Sequence, residues 1–69
     1  MRHTYVVNRN AQANGDREVH VQGCGYFPEY HNAQPLGQHD TCVTAVRAAR
    51  TFYHQVNGCF YCCLACHTQ

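Results

Sequence analysis

The sequence predicts a small α+β fold that depends on cross-links, and three observations lead to this class. The chain has 69 residues, a length that suits one small domain over residues 1–69. Leu, Ile, Val and Phe supply only 12 of those residues, too few for a self-sufficient core. Six cysteines and six histidines are present as cross-linking material, so we expect a disulfide framework or a bound metal ion to complete the fold.

The N-terminal part of the chain predicts a β-hairpin. Residues 4–8 are mostly β-branched or aromatic, which is typical of a strand. Residues 17–22 alternate with period two, so that two valines share one face while Glu18 and His20 share the other. The polar residues 9–16 between them contain an Asn-Gly turn signal. We therefore expect two antiparallel strands joined by a loose loop.

The middle of the chain predicts an irregular loop followed by one helix. Residues 23–38 hold both prolines and three of the five glycines, which is typical of a loop. Residues 42–53 repeat apolar side chains every three or four positions, which predicts an amphipathic helix of about three turns. Asp40 or Thr41 is the expected N-cap. Asn57-Gly58 is expected to end the helix.

The C-terminal residues contain a motif for metal binding. Cys59-x-x-Cys62 follows a glycine and has the spacing of a zinc knuckle, in which one tight turn directs two sulfurs at the same ion. A knuckle supplies half of a tetrahedral site. His20-x-x-x-Cys24, at the end of a predicted strand, is a suitable distant second half. The predicted ligands of Zn2+ are thus His20, Cys24, Cys59 and Cys62. The predicted fold class is a small α+β domain stapled by metal. It has an N-terminal hairpin, an irregular loop, one amphipathic helix and a C-terminal Cys-x2-Cys knuckle.

The remaining cysteines leave other ligand sets open. Cys63-x-x-Cys66 is a second register of the same knuckle, and His67 follows it directly. Cys66, His67 and Cys63 are therefore alternate ligands. Cys42 lies on the apolar face of the predicted helix, where we expect a buried free thiol that behaves as a small hydrophobic residue.

The expected compartment favours metal over disulfides. The N-terminal residues contain no apolar stretch of the kind found in signal peptides, and no segment has the length of a membrane span. We therefore expect a cytoplasmic protein that does not enter a membrane. Cysteines stay reduced in the cytosol, where clustered thiols more often bind metal.

These motifs together resemble the Ada-type metal-binding domain of bacterial methylphosphotriester DNA repair proteins and of smaller relatives fused to nucleases. The resemblance lies in His20-x3-Cys24, a Pro-containing stretch with a short strand-like piece at Leu36, an Ala-rich helix and Gly58-Cys59-x-x-Cys62. It covers roughly residues 5–66. It implies a small zinc domain of that fold, and the relatives with histidine as first ligand are the more similar ones.

The chain departs from the repair proteins at two places. Their first ligand is a zinc-bound cysteine that accepts the methyl group, whereas His20 stands at that position here. An imidazole bound to zinc is not that nucleophile, so the resemblance implies the fold and the metal without the repair reaction. Phe60 and Tyr61 also stand where the repair proteins carry basic residues.

Composition leaves two classes of function. The chain has no serine and no glycine-rich phosphate loop, so we do not expect an enzyme. A net charge of +1 without any lysine argues against binding nucleic acid by bulk charge, although Tyr26, Tyr30 and Tyr61 have rings that stack on bases. The first class is a monomeric structural zinc domain that binds DNA or another protein as an adaptor module. The second is a thiol-redox or metal-handling protein that uses the C-terminal cysteines.

Overall fold

The computed structural model describes residues 1–68, which form a four-stranded sheet covered on one face by an α-helix. The strands lie in the order β3-β1-β2-β4. This architecture confirms the small α+β fold class. The elements are β1 at His3–Asn8, β2 at Arg17–Val21, β3 at Ala33–His39, α1 at Cys42–Ala49, β4 at Val56–Gly58 and short 3-10 helices at Tyr30–Asn32 and Leu64–Cys66. Within residues 1–68, no helix has the length and apolar character needed to cross a bilayer.

The predicted hairpin is present. β1 and β2 pair in antiparallel fashion with Tyr5 opposite Val21 and Val7 opposite Val19. In the connecting loop, Gly15 adopts a φ of 95°, a left-handed conformation that glycine adopts without steric cost. This pairing confirms the predicted hairpin. The hairpin could be predicted because its alternating pattern is complete within a short stretch of sequence.

The prediction of an irregular loop over residues 23–38 is wrong for its second half, where the short strand-like piece that the resemblance implied at Leu36 is part of the seven-residue strand β3. β3 pairs with the free side of β1 and forms one edge of the sheet. Pro35 is tolerated there because an edge strand has backbone groups that need no partner in the ladder. Gly37 has a φ of 83° beside an irregularity in the register opposite Tyr5 and Val6. Pro35 and Gly37 therefore suit an irregular edge strand, but both residue types are rare in strands, so the sequence did not predict the whole of β3.

Helix α1 begins as predicted and ends earlier than predicted. Of the two candidate caps, Thr41 is the one used, since its hydroxyl oxygen accepts a hydrogen bond from the Val43 amide at 3.3 Å. The helix ends at Ala49 rather than at residue 53. The Thr51 hydroxyl donates to the Ala48 carbonyl oxygen at 2.6 Å, so a side chain occupies an acceptor of the last turn.

The interpretation of Asn57-Gly58 as the end of the helix is also wrong. These residues belong to β4, which lies parallel to β2 at the other edge of the sheet. Gly58 is required for space, because a Cβ atom there would lie 2.8 Å from the Cys63 carbonyl oxygen and 2.8 Å from the Cys66 Cβ. Residues 56–68, called the C-terminal segment below, thus fold back tightly on their own strand.

The core lies between the sheet and α1. Val7 and Val19 point from the middle strands toward the helix and are completely buried, as are Ala45 and Ala49 opposite them. Because side chains alternate along a strand, His20 points to the other face of the sheet and is buried there. Strand β2 therefore contributes to the helix-facing core and to a second buried site.

A disulfide joins Cys42, the first residue of α1, to Cys66 in the second 3-10 helix. The prediction of a free thiol at Cys42 is therefore wrong. The apolar face of α1 carries Cys42 toward the C-terminal segment, where the Cα atoms of the pair lie 6.4 Å apart, within disulfide range. The fold contains this one disulfide beside four free cysteines, so a disulfide and a possible metal cluster occur together.

Candidate metal centre

Four side chains predicted as ligands come together in one cluster. The Nδ1 or Nε2 nitrogen of His20 and the Sγ atoms of Cys24, Cys59 and Cys62 all lie within 4.8 Å of one another. Two of the separations are 3.9 Å, between the sulfurs of Cys24 and Cys59 and between Cys62 Sγ and His20 Nδ1. Ligands on a tetrahedral zinc ion with bonds of about 2.3 Å lie roughly 3.8 Å apart. The cluster has the size that could hold one metal ion.

The parallel pairing of β2 and β4 brings the two halves of the cluster together. Val19 is opposite Gly58, and the Cys59 amide donates to the Val19 carbonyl oxygen at 2.9 Å. The carboxyl ends of parallel neighbours lie side by side. His20 and Cys24 at the end of β2 therefore meet the cysteine pair that follows β4.

The two cysteine-containing turns have matching geometry. The Tyr26 amide donates to Cys24 Sγ at 3.4 Å, and the Tyr61 amide donates to Cys59 Sγ at 3.4 Å. In each turn the donor stands two residues after the cysteine. The Cys62 sulfur also accepts a hydrogen bond, from the Val21 amide at 3.3 Å. Backbone N–H groups directed at sulfur stabilise thiolates, the form in which cysteine binds metal.

His20 is held in the form and orientation of a metal ligand. Its side chain is 2% exposed, and burial lowers the pKa of His20 below its usual 6.5, which keeps the imidazole neutral. Nδ1 faces the Cys62 sulfur, while Nε2 lies 3.6 Å from a Glu18 carboxylate oxygen. A carboxylate behind the distal nitrogen is a common arrangement in metal sites, where it selects the tautomer that leaves the other nitrogen free.

The burial of these groups favours a bound cation. Burial raises the pKa of the Cys62 thiol, because an isolated thiolate loses solvation there. Burial also raises the pKa of the Glu18 carboxyl. The Cys62 thiol loses its proton more readily when positive charge is close, and a divalent metal ion supplies such charge. The cluster is therefore arranged to exchange thiol protons for a metal ion.

The alternate ligands do not join the cluster within residues 1–68. The sulfur of Cys63 lies 3.8 Å from that of Cys62, but its side chain is 2% exposed and packs into the core. Burial raises the pKa of the Cys63 thiol, which favours the protonated form. Cys66 is engaged in the disulfide. The ring of His67 is bonded elsewhere, with Nδ1 at 2.9 Å from the Gly58 carbonyl oxygen.

An exposed aromatic patch covers the turns that carry the cysteines. Tyr26 and Tyr61 stack with ring centroids 4.3 Å apart and planes inclined by 20°. Phe60 meets Tyr61 edge-on at 5.2 Å. All three rings remain more than half exposed. We call Tyr26, Phe60 and Tyr61 the aromatic patch.

Two functional features were missed in the sequence. The first is the carboxylate of Glu18, which lies next to the His20 ring. Strand alternation already put Glu18 and His20 on the same face of β2, so the sequence contained a signal for this contact. The Cys42–Cys66 bond had no comparable signal, because a pairing across 24 residues depends on how α1 packs on the C-terminal segment.

No protein-family model, curated protein or solved structure matches this chain. Its chemistry is therefore inferred from the site itself.

Proposed function

We propose that this protein is a small structural zinc domain in which His20, Cys24, Cys59 and Cys62 bind one Zn2+ ion. The convergence of their four ligand atoms within 4.8 Å carries this proposal. Three thiolates and one imidazole form a donor set that suits zinc better than magnesium or calcium. With all four tetrahedral positions filled by the protein, no position is left for water or substrate, as in structural zinc sites.

The proposed role of the metal is to hold the sheet and the C-terminal segment together. Each half of the cluster comes from a different strand end, so one ion closes a loop between Cys24 and Cys59, which are 35 positions apart in the sequence. The resemblance to Ada-type domains is part of this proposal, and His20 in the first ligand position supports a role without methyl transfer. The proposed activity is accordingly non-catalytic.

We further propose that the domain is a monomeric adaptor whose aromatic patch binds nucleic acid or protein. Exposed rings on rigid turns offer large contact surfaces that lose little side-chain entropy on binding. The outer faces of Tyr26 and Tyr61 suit the stacking of unpaired bases. With a net charge of +1, most of the affinity would come from stacking rather than from phosphate contacts.

Metal content together with a thiol count tests the zinc proposal. Protein purified under non-chelating conditions should contain one zinc per chain, and cobalt substitution should produce tetrahedral and thiolate-to-cobalt absorption bands. Native protein should react slowly with a thiol reagent. After denaturation with chelator, the four free cysteines should react, and all six should react only after reduction. Metal-free folded protein with rapidly reacting cysteines would contradict the proposal.

A titration with labelled single-stranded DNA at about 50 mM salt tests the nucleic-acid arm of the adaptor role. Tyr61→Ala should weaken binding by about 1–3 kcal/mol if the ring stacks on a base. Phe52→Ala is the control, since Phe52 is an exposed aromatic residue that lies outside the aromatic patch. Absence of binding by the zinc-loaded wild type would remove nucleic acid as the partner and leave a protein partner.

The disulfide favours thiol chemistry as a second candidate function. Cys42–Cys66 joins α1 to the C-terminal segment, and neither cysteine belongs to the proposed zinc site. Cys63 is a poor candidate for a reactive thiol because it is buried.

A further inference from the structure

We propose that Cys42–Cys66 is a reversible thiol–disulfide exchange site, at which a monothiol opens and closes the link between α1 and the C-terminal segment. The proposal goes beyond zinc binding, because neither cysteine belongs to the metal cluster. Three features of the structure carry it: the unequal exposure of the two cysteine residues, the position of Cys42 in the helix and the independent anchoring of Cys66.

The two cysteines of the disulfide differ in exposure, and this difference determines which of them an external thiolate can attack. Cys42 is 8% exposed and belongs to the core, whereas Cys66 is only partly buried. Thiol–disulfide exchange requires the incoming thiolate to approach a sulfur in line with the bond that breaks. An external thiolate therefore attacks Cys66, and Cys42 is the leaving group.

The position of Cys42 favours its departure as a thiolate. It is the first residue of α1, directly after the Thr41 cap. The first-turn amides of a helix point their N–H groups outward from the N-terminus, and together with the helix dipole they stabilise negative charge there. A better stabilised leaving thiolate departs faster. The helix N-terminus thus offsets part of the desolvation that burial imposes on the leaving Cys42 thiolate.

The step can be written with its electrons balanced. A glutathione thiolate attacks Cys66 Sγ, a new S–S bond forms between them, and the electron pair of the Cys42–Cys66 bond leaves on Cys42. A second glutathione thiolate attacks the mixed disulfide, releases Cys66 as a thiolate and forms glutathione disulfide. The protein gains two electrons, and two monothiols are oxidised. The reverse reaction with glutathione disulfide closes the bond again.

The C-terminal segment is anchored independently of the disulfide, which makes the exchange reversible. The Thr68 amide donates to Asn57 Oδ1 at 2.8 Å, and Asn57 Nδ2 donates to the Thr68 carbonyl oxygen at 2.8 Å. On the other side, the Cys66 amide donates to the Cys63 carbonyl oxygen at 2.9 Å. These bonds flank Cys66 and keep it near Cys42 after reduction. Closure then requires no refolding.

Trapping the intermediate tests the proposal on the zinc-loaded wild-type protein. Oxidised protein is treated briefly with reduced glutathione, quenched with N-ethylmaleimide and mapped by peptide mass spectrometry. Glutathione should be found on Cys66 and maleimide on Cys42, with about tenfold more glutathione on Cys66 than on Cys42 because attack follows access and leaving-group stability. Adding glutathione disulfide afterwards should restore the Cys42–Cys66 bond.

Cys63→Ala is the matched control, because Cys63 is a neighbouring buried thiol outside the disulfide. It should leave the adduct pattern and the cleavage rate unchanged. Equal adducts on both cysteines, adducts mainly on Cys42, dependence on Cys63, or a bond that glutathione cleaves only in denatured protein would overturn the proposal. Zinc content measured in the same samples separates the two proposals, since absence of zinc contradicts the metal site and leaves the exchange result intact.

Discussion

The β1–β2 hairpin and the C-terminal segment are held by different chemistry. In the hairpin, β1 is paired on both sides, with β2 at three positions and with β3 at six, and Val7 and Val19 are completely buried against α1. The C-terminal segment contributes only the three-residue strand β4, which pairs with β2 on one side. Its other ties are the cysteine cluster, the disulfide and a few hydrogen bonds. Backbone pairing dominates the first region and sulfur chemistry dominates the second.

This difference explains how so few large apolar residues suffice. An isolated two-stranded hairpin is marginally stable in water, so β1 and β2 need the rest of the sheet and α1. The C-terminal segment completes that core through Cys59 and Cys63, which are both buried in it. Cross-links that order the segment therefore stabilise the hairpin as well. Perturbations of the sulfur sites should have the largest effects.

Loss of one ligand should have the largest effect. We expect Cys59→Ser to abolish zinc binding and to unfold the C-terminal segment, with the hairpin following, since structural zinc contributes about 10–16 kcal/mol of apparent free energy in small finger peptides. Dispersion in 1H–15N spectra, recorded with and without chelator, measures the effect. Cys63→Ala is the control and should remain folded, at a cost of about 1 kcal/mol. A Cys59→Ser protein with native dispersion would show that the hairpin and core stand without metal.

The next largest effect should come from crowding the fold-back of the C-terminal segment. Gly58→Ala places a Cβ 2.8 Å from a backbone oxygen and from the Cys66 Cβ, so the segment has to shift. We expect a loss of about 1–3 kcal/mol in the free energy of unfolding, measured by denaturant titration of zinc-loaded protein. Gly25→Ala should change it by less than about 0.5 kcal/mol, because nothing lies within 4 Å of a Cβ there. Equal effects of the two substitutions would contradict the tight packing at Gly58.

The same comparison explains what could be predicted from the sequence. The hairpin is a local structure, and its alternation, its Asn-Gly turn and its polar loop are all visible in residues 4–22. The His20, Cys24, Cys59 and Cys62 cluster was also accessible, because the x3 and x2 spacings indicate metal ligands without any knowledge of the tertiary structure.

Elements that depend on distant contacts were missed or only partly predicted. β3 exists because β1 offers a free edge. The resemblance implied only a short strand-like piece at Leu36, because Pro35 and Gly37 conceal the full strand in the sequence. β4 exists because β2 offers the other edge, and Gly58 is needed there for space rather than for a turn. The Cys42–Cys66 pairing depends on the packing of α1. In each case the element that determines the contact lies far away in the sequence, and no local pattern of residues identifies it.

A moderate effect should come from the carboxylate behind His20. We expect Glu18→Ala to weaken zinc binding about tenfold, or about 1.4 kcal/mol, because the imidazole loses the group that orients it. Competition with a chromophoric chelator measures the affinity. Glu29→Ala is the matched control, since Glu29 also lies 3.6 Å from a histidine nitrogen, that of His31, but on an exposed surface. Equal affinity of the wild type and Glu18→Ala would assign Glu18 no part in the site.

The smallest effect concerns the hydrogen bonds that join Asp16 in the hairpin loop to Gln55 and Asn57. Gln55 Nε2 donates to one Asp16 carboxylate oxygen at 2.6 Å and Asn57 Nδ2 to the other at 3.2 Å, and these bonds lower the pKa of Asp16 below 3.8. A lowered folded-state pKa means that the unfolded chain binds more protons. Asp16 therefore stabilises the fold above about pH 3.8, and this contribution is lost as the pH falls through the folded-state pKa.

Removing the stronger of these donors should bring the carboxyl back toward its ordinary behaviour. We expect Gln55→Ala to raise the pKa of Asp16 toward 3.8, because Gln55 makes the largest contribution to lowering it. The side-chain carboxyl 13C shift of Asp16, followed from pH 6 downward by NMR, measures the pKa while the protein remains folded. Gln22→Ala is the control, since Gln22 is exposed and has no side-chain bond to Asp16. An unchanged titration in Gln55→Ala would mean that the hydrogen bond between Gln55 and Asp16 is absent in solution.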